Sequence, residues 1–292
     1  MKGRIILSQA DFSANNIGRY VELSDLTKKV LAKQTQYGED STEAAALNTF
    51  LNALTTEGFI GGESPLLKCL IIPGLANSHD ELLYNIAKLD NDGYPTDVMA
   101  ASEKSAEKHV YLPYVVDSKN VGVTRFANAS YTESDANNQS KFNVDMFEYN
   151  TAYPSFSMCL FCKKANNVLL KTYTSSSQIK LQGNYVCFDY GNREMVKAEF
   201  SGNGNGFFGI NFEENVGWSG VVAGGTIGET SFDAGFTPSA GSSNYNVFSL
   251  GRFAYGSYNF GLLTLGNFIP TEKMNSLKGY VDTLMTALHV SF

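Results

Sequence analysis

From about residue 109 to residue 262 the chain repeats one pattern, short runs of alternating apolar and polar side chains separated by turns rich in Gly, Asn and Ser. Phe142, Val144 and Met146 alternate with Asn143 and Asp145; Phe156, Met158, Leu160 and Cys162 share one face. Val168, Leu170 and Thr172 follow, then Ile179 and Leu181, Val186, Phe188 and Tyr190, and Val196, Ala198 and Phe200. Phe208, Ile210 and Phe212, Tyr245, Val247 and Ser249, and Tyr258, Phe260 and Leu262 complete the series. A period of two sets successive side chains on opposite faces of an extended strand. Several short strands at such regular spacing predict an antiparallel sandwich, because a parallel sheet would interleave its strands with helices. The stretch 217–243 is rich in Gly, Ser and Thr and predicts a long loop or a pair of irregular edge strands.

Before residue 105 the periodicity changes. Residues 1–20 have scattered apolar points (Ile5, Ile6, Leu7, Phe12, Ile17) without helical spacing. They read either as an arm that pairs with a neighbouring sheet or as an edge strand of the chain's own fold. A first helix is predicted over about 22–35, with Leu23, Leu26, Val30 and Leu31 on one face. A second is predicted over about 42–57, capped by an Asp40/Glu43 box and stopped by Gly58, with Leu47, Phe50, Leu51 and Leu54 inside. Leu66 to Ile72 reads as a buried strand ended by Pro73-Gly74. A third helix is predicted after Ser78, with Glu81 closing a capping box and Leu82, Leu83, Ile86 and Leu89 inside, broken by the Asp90–Pro95 loop. After Pro270 and Thr271, residues Met274, Leu277, Val281, Leu284 and Leu288 repeat as one apolar face. Packing of this helix against the sandwich is expected ahead of a trimer seam, since only two heptads are covered.

Composition removes some partners. The net charge is −7, and no Lys/Arg cluster exceeds two adjacent residues, so the concentrated positive stripe that grips nucleic acid is missing. No apolar run reaches the length of a transmembrane helix, and the N-terminal apolar stretch is too short for a secretory signal, so no membrane association and no Sec export are expected. Charged residues are 17% of the chain, below the roughly 25% of an average domain, with 20 Phe, 16 Tyr and 27 Gly in their place. That mixture suits strands and tight turns, and it also suits a surface covered by other subunits. Four cysteines (Cys69, Cys159, Cys162, Cys187) are too sparse for a disulfide-stapled scaffold and read as buried thiols.

The local motifs carry little chemistry. Cys159-x-x-Cys162 lies on a strand, where residues three apart face opposite ways, and no second pair completes a zinc site. Gly204-x-Gly206-x-x-Gly209 runs on into a strand, so a hairpin turn replaces the nucleotide-binding reading. Asp90, Asp92, Gly93 and Asp97 resemble part of a calcium loop, but Lys88 and Met99 stand where ligands would be needed; a solvated turn is the default. Glu213 and Glu214 diverge on a strand. His79, His109 and His289 have no nucleophile beside them, with His289 placed to favour a helix C-terminus. No catalytic residue, metal or cofactor is expected. Trp218, Tyr245, Tyr255 and Tyr258 are the residues that could offer stacking faces to a glycan, core packing being their other reading.

Two regions carry a resemblance. Phe248-Ser-Leu-Gly-Arg252 and Leu263-Thr-Leu-Gly-Asn-Phe-Ile-Pro-Thr-Glu-Lys-Met274 resemble the end of concanavalin-like (laminin-G-like) jelly rolls in phage appendage proteins, with Pro270 departing from the usual Leu or Ser. Ile5 to Asn16, Ala46 to Phe50, Leu70 to Ala76 and Glu81 to Ile86 resemble structural proteins of phages infecting gut Bacteroidales, including crAss-like phages. The resemblance implies a virion protein of a head fibre, tail fibre or capsid decoration. It implies residues 1–105 as an N-terminal arm and helical attachment region, and 106–292 as a concanavalin-like jelly-roll β-sandwich ending in an amphipathic helix. The expected partners are the chain itself, as a homo-oligomer and foremost a homotrimer, other virion proteins, and host surface polysaccharide. A lectin-like receptor-recognition module is the alternative, with a polysaccharide depolymerase behind it.

Overall fold

The computed structural model describes residues 22–78, 81, 84–97, 110–116, 119–125, 140–143, 156–162, 168–172, 178–182, 185–190, 193–199, 206–213, 217–222, 225–230, 247–250 and 259–290. The expected arm lies outside them. Three helices are described: α1 (Asp25–Lys33), α2 (Thr42–Thr56) and α3 (Thr271–Ala287). The strands are β1 (Leu67–Ile71), β2 (Tyr84–Leu89), β3 (Pro95–Asp97), β4 (Val110–Val116), β5 (Lys119–Arg125), β6 (Ser140–Asn143), β7 (Phe156–Cys162) and β8 (Val168–Thr172). They continue with β9 (Gln178–Gln182), β10 (Tyr185–Tyr190), β11 (Arg193–Glu199), β12 (Gly206–Glu213), β13 (Gly217–Val222), β14 (Gly225–Thr230), β15 (Val247–Leu250) and β16 (Asn259–Asn267).

The pairing is antiparallel throughout the described ladders, and the fold is mainly β-sheet with a few helices, the α+β class that the sequence pattern predicts. One sheet has the order β14-β13-β12-β7-β16-β5-β4, with β1 as its eighth strand on β16. A second, six-stranded sheet runs β11-β10-β9-β8-β15-β6, and β2 pairs β3 in a separate ladder. The end strands β11 and β14 lie against each other, so the two sheets meet along that side. The Gly-rich stretch after residue 217 contributes β13 and β14, with a register shift between Trp218 and Gly220.

The larger sheet is buried on both faces at its centre. In register across β1, β16, β7, β12 and β13 stand Leu70, Thr264, Cys159, Gly209 and Val221; the next row holds Cys69, Leu265, Met158, Ile210 and Gly220. The first row belongs to the core shared with the helices: Val30 and Leu31 of α1, Leu47, Phe50, Leu51 and Leu54 of α2, and Met274, Leu277, Val281 and Leu284 of α3. The second row is buried as well, on the face turned away from the helices. A strand covered on both faces cannot alternate apolar with polar, which is why β7 reads Phe-Ser-Met-Cys-Leu-Phe-Cys. Helix α3 thus lies on the sheet, as its spacing predicts. Each of its five buried side chains stabilises the fold by about 1.5–3 kcal/mol relative to exposure.

Helix ends follow local chemistry. Helix α2 stops at Gly58 (φ 74°), whose N–H donates to Thr55 O while Phe59 N donates to Leu54 O at 2.8 Å, and Phe59 and Leu54 are both buried. Helix α3 ends the same way on His289 (φ 60°), with Val290 N donating to Met285 O at 2.8 Å. The start of α2 corrects the expected cap: Ser41, not Asp40, accepts from Ala44 N, while Glu43 receives the Thr42 hydroxyl and sits 3.5 Å from His289 Nε2. A Ser at the position directly before the helix reaches its N3 amide without bending the chain.

The third helix predicted after Ser78 is also corrected. Residues 84–89 form strand β2, and Leu89, expected inside, is 43% exposed. The capping chemistry exists but serves a loop: Glu81 accepts from Asn77 N at 2.8 Å and from Thr35 N at 2.7 Å. What overrides helical spacing is the free edge of β1. The buried Asn85 carboxamide accepts from Leu70 N at 3.0 Å and donates to Lys68 O at 2.9 Å, doing for β1 what a further strand would do. The edge strand β4, on the same side of β16 as β1, is blunted differently. Counted from the closing pair Val116↔Lys119, Pro113↔Gly122 is a pair that exchanges no N–H···O bonds. The missing proline N–H therefore falls on the open side.

Candidate functional site

The expected glycan-facing aromatics are only partly placed. Trp218 stands in β13 opposite Phe212 on one side and Thr230 on the other. Tyr245, Tyr255 and Tyr258 lie outside the described residues, as do His79 and His109.

Cys159 and Cys162 occupy β7 three residues apart, opposite Thr264 and Phe260 of β16. Both are buried, as is Cys69, and none of the three is in a disulfide. Cys159 Sγ lies 3.5 Å from Met274 Sδ, and burial pushes its thiol up to about 12, with the Thr264 hydroxyl pulling in the other direction. Burial alone pushes Cys69 up. A thiol held protonated and away from solvent is a packing group, not a nucleophile. Among the described residues no group of three or more His, Cys, Asp and Glu side chains could hold a metal ion. The partial calcium loop is a turn: Asp90 Oδ1 accepts from Asp92 N (3.0 Å) and Tyr94 N (2.8 Å), and Gly93 supplies the positive φ of 80°.

Several interior polar side chains are tied to backbone. Asn211 clamps Ile269, accepting from its N–H at 3.1 Å and donating to its carbonyl at 2.6 Å. Ser157 Oγ donates to Asn267 O at 2.7 Å. Asn48 of α2 accepts from Ser24 N (2.8 Å) and the Thr27 hydroxyl (3.0 Å), capping α1 from outside. Gln34 donates to Ile72 O and Glu81 O, each at 3.1 Å. Between α3 and the segment that follows α2, Tyr280 donates its hydroxyl to Glu57, which raises the tyrosine above its ordinary value, and Lys273 sits 5.6 Å from the Phe59 ring centroid.

The half-exposed cluster that chemistry could use lies where α1 meets the β2–β3 hairpin. Lys29 and Lys33 are one turn apart on α1. Lys29 Nζ donates to Asp92 O at 2.7 Å and stands 5.5 Å from the Tyr94 ring centroid. Lys33 Nζ stands between two rings, 5.1 Å from Tyr94 and 5.9 Å from Tyr84. The sequence reading missed this cluster. The i, i+4 lysines were visible, but with Tyr84 assigned to a helix nothing brought Tyr84 and Tyr94 to them.

No family model matches this chain, and no curated protein matches it. A solved structure of a mutant of Trypanosoma rangeli sialidase displaying trans-sialidase activity is similar over 86% of this chain, at 9% identity and a TM-score of 0.31. The similarity spans 39% of that protein's chain. No helix among the described residues is long and apolar enough to cross a membrane.

Proposed function

We propose that this chain is a structural protein of a bacteriophage particle, a head-fibre, tail-fibre or decoration component without catalytic activity. In this reading its strands form a concanavalin-like jelly roll, and the protein acts as a homotrimer on the virion surface. The observation that carries it is how the interior polar groups are used. Asn48, Asn85 and Asn211 all join separate elements through backbone hydrogen bonds, which suits a body built to hold its shape. The resemblance of the 46–86 and 248–274 segments to phage structural proteins supplies the context, and the low charge fits a surface that neighbours cover. The apolar seam of α3 faces the chain's own core, so assembly uses other surfaces.

Light scattering on the purified chain tests the oligomer. The expected result is a trimer mass that persists on dilution, with each contact burying at least about 1,200 Å² as stable interfaces do. A monomer at every concentration contradicts the proposal.

A further inference from the structure

The lysine–tyrosine cluster on α1 and the β2–β3 hairpin divides its labour. Lys29 is a fastener. Its ammonium is bonded to Asp92 O, and it fills the space beneath the turn so closely that a Cβ on Gly93 would meet Nζ at 2.5 Å. Lys33 has no such task. Its ammonium, the Tyr84 hydroxyl and the Tyr94 hydroxyl have no hydrogen-bond acceptor among the described residues, and all three side chains are half-exposed. Asp90 in the turn has one carboxylate oxygen committed to the Asp92 and Tyr94 N–H groups. Two ring faces hold the Lys33 cation in place, which lowers the entropy lost when it engages a partner. Donors grouped without an acceptor suit an anion that also carries acceptors for O–H donors.

We propose that Lys33, Tyr84 and Tyr94 form a recognition site for a carboxylate-bearing saccharide. Lys33 pairs with the sugar carboxylate, and the tyrosine hydroxyls donate to its ring oxygens. The inference stands independently of the virion reading, because an acidic glycan could be met on a host surface or elsewhere.

The experiment is calorimetric titration of the full chain with a short oligogalacturonate, a malto-oligosaccharide of equal length, and a glutamate peptide of matched charge. The wild type is expected to bind the oligogalacturonate, more weakly as salt rises, and not the neutral sugar. Lys33→Met, which keeps the stem over the rings, is expected to weaken binding by about tenfold or more, and Lys33→Arg to retain most of it. Unchanged thermal unfolding of Lys33→Met would separate lost recognition from lost structure. Three results would overturn the site: no binding of the acidic sugar, equal binding of the neutral one or of the peptide, or an unaffected Lys33→Met variant.

Discussion

Gly266→Ala will remove much of the protein's stability, and Gly279→Ala will add to it. Gly266 lies in β16 where β1 crosses closest. A Cβ there would overlap the Leu66 carbonyl oxygen and stand 2.8 Å from Leu67 Cα. Both are backbone atoms, so no side chain can swing aside. Relief requires β1 to move away from β16, against the Asn267 N–H bond to Leu66 O at 2.8 Å and the packing of Leu67 and Leu70 in the shared core. Overpacking of a tight interior costs about 1–3 kcal/mol, and a rigid backbone obstacle places this case at or above the upper end. Typical domains are stable by only about 5–15 kcal/mol. Gly279 offers the same chemical change with the opposite setting. It lies mid-helix in α3, with nothing within 4 Å of the new carbon, so alanine should stabilise by about 1 kcal/mol. Denaturant midpoints of the two variants, measured side by side, check both signs. Equal midpoints would mean that β1 does not approach β16 as described.

Asn211→Leu will be the second severe change. The two residues are close in size, so the cavity term is small, but the Ile269 N–H and C=O both lose their partner inside the core. Each buried unsatisfied group costs about 1–3 kcal/mol, giving roughly 2–6 kcal/mol for the pair. Ile269 precedes Pro270 and α3, so this clamp fixes where the C-terminal helix lands on the sheet. The variant is therefore expected to lose stability and also to expose the 268–271 connection to limited proteolysis before the rest of the chain. Asn211→Asp keeps one acceptor but buries a charge, and should be no better. A wild-type midpoint in Asn211→Leu would show the clamp to be dispensable.

Asn85 and Asn211 mark where the sequence pattern stops being informative. Helices α2 and α3 were legible because their burial follows one repeated face, and β7 and β12 because apolar side chains recur at every second residue, although the structure buries both faces of these strands. Gly58 announced itself as a helix stop. Asn85 and Asn211 gave no such signal. A lone Asn in a strand looks like a solvent-facing residue, and only the folded chain reveals that it bonds to the backbone of a distant element. The 82–89 segment shows the same limit from the other side. Leu82, Leu83, Ile86 and Leu89 fit a helix in isolation, but the unsatisfied edge of β1 made a strand carrying Asn85 the better solution, a tertiary demand outweighing local spacing. The candidate site was illegible for a related reason. Lys33 meets Tyr84 and Tyr94 only after that hairpin forms.

The proposal that the chain builds a virus particle is tested most directly by its position in an electron-microscopy map of purified virions. The expected result is density on the outside of the head or tail into which the three helices and the larger sheet fit as described. Intact particles that lack this chain altogether would contradict it.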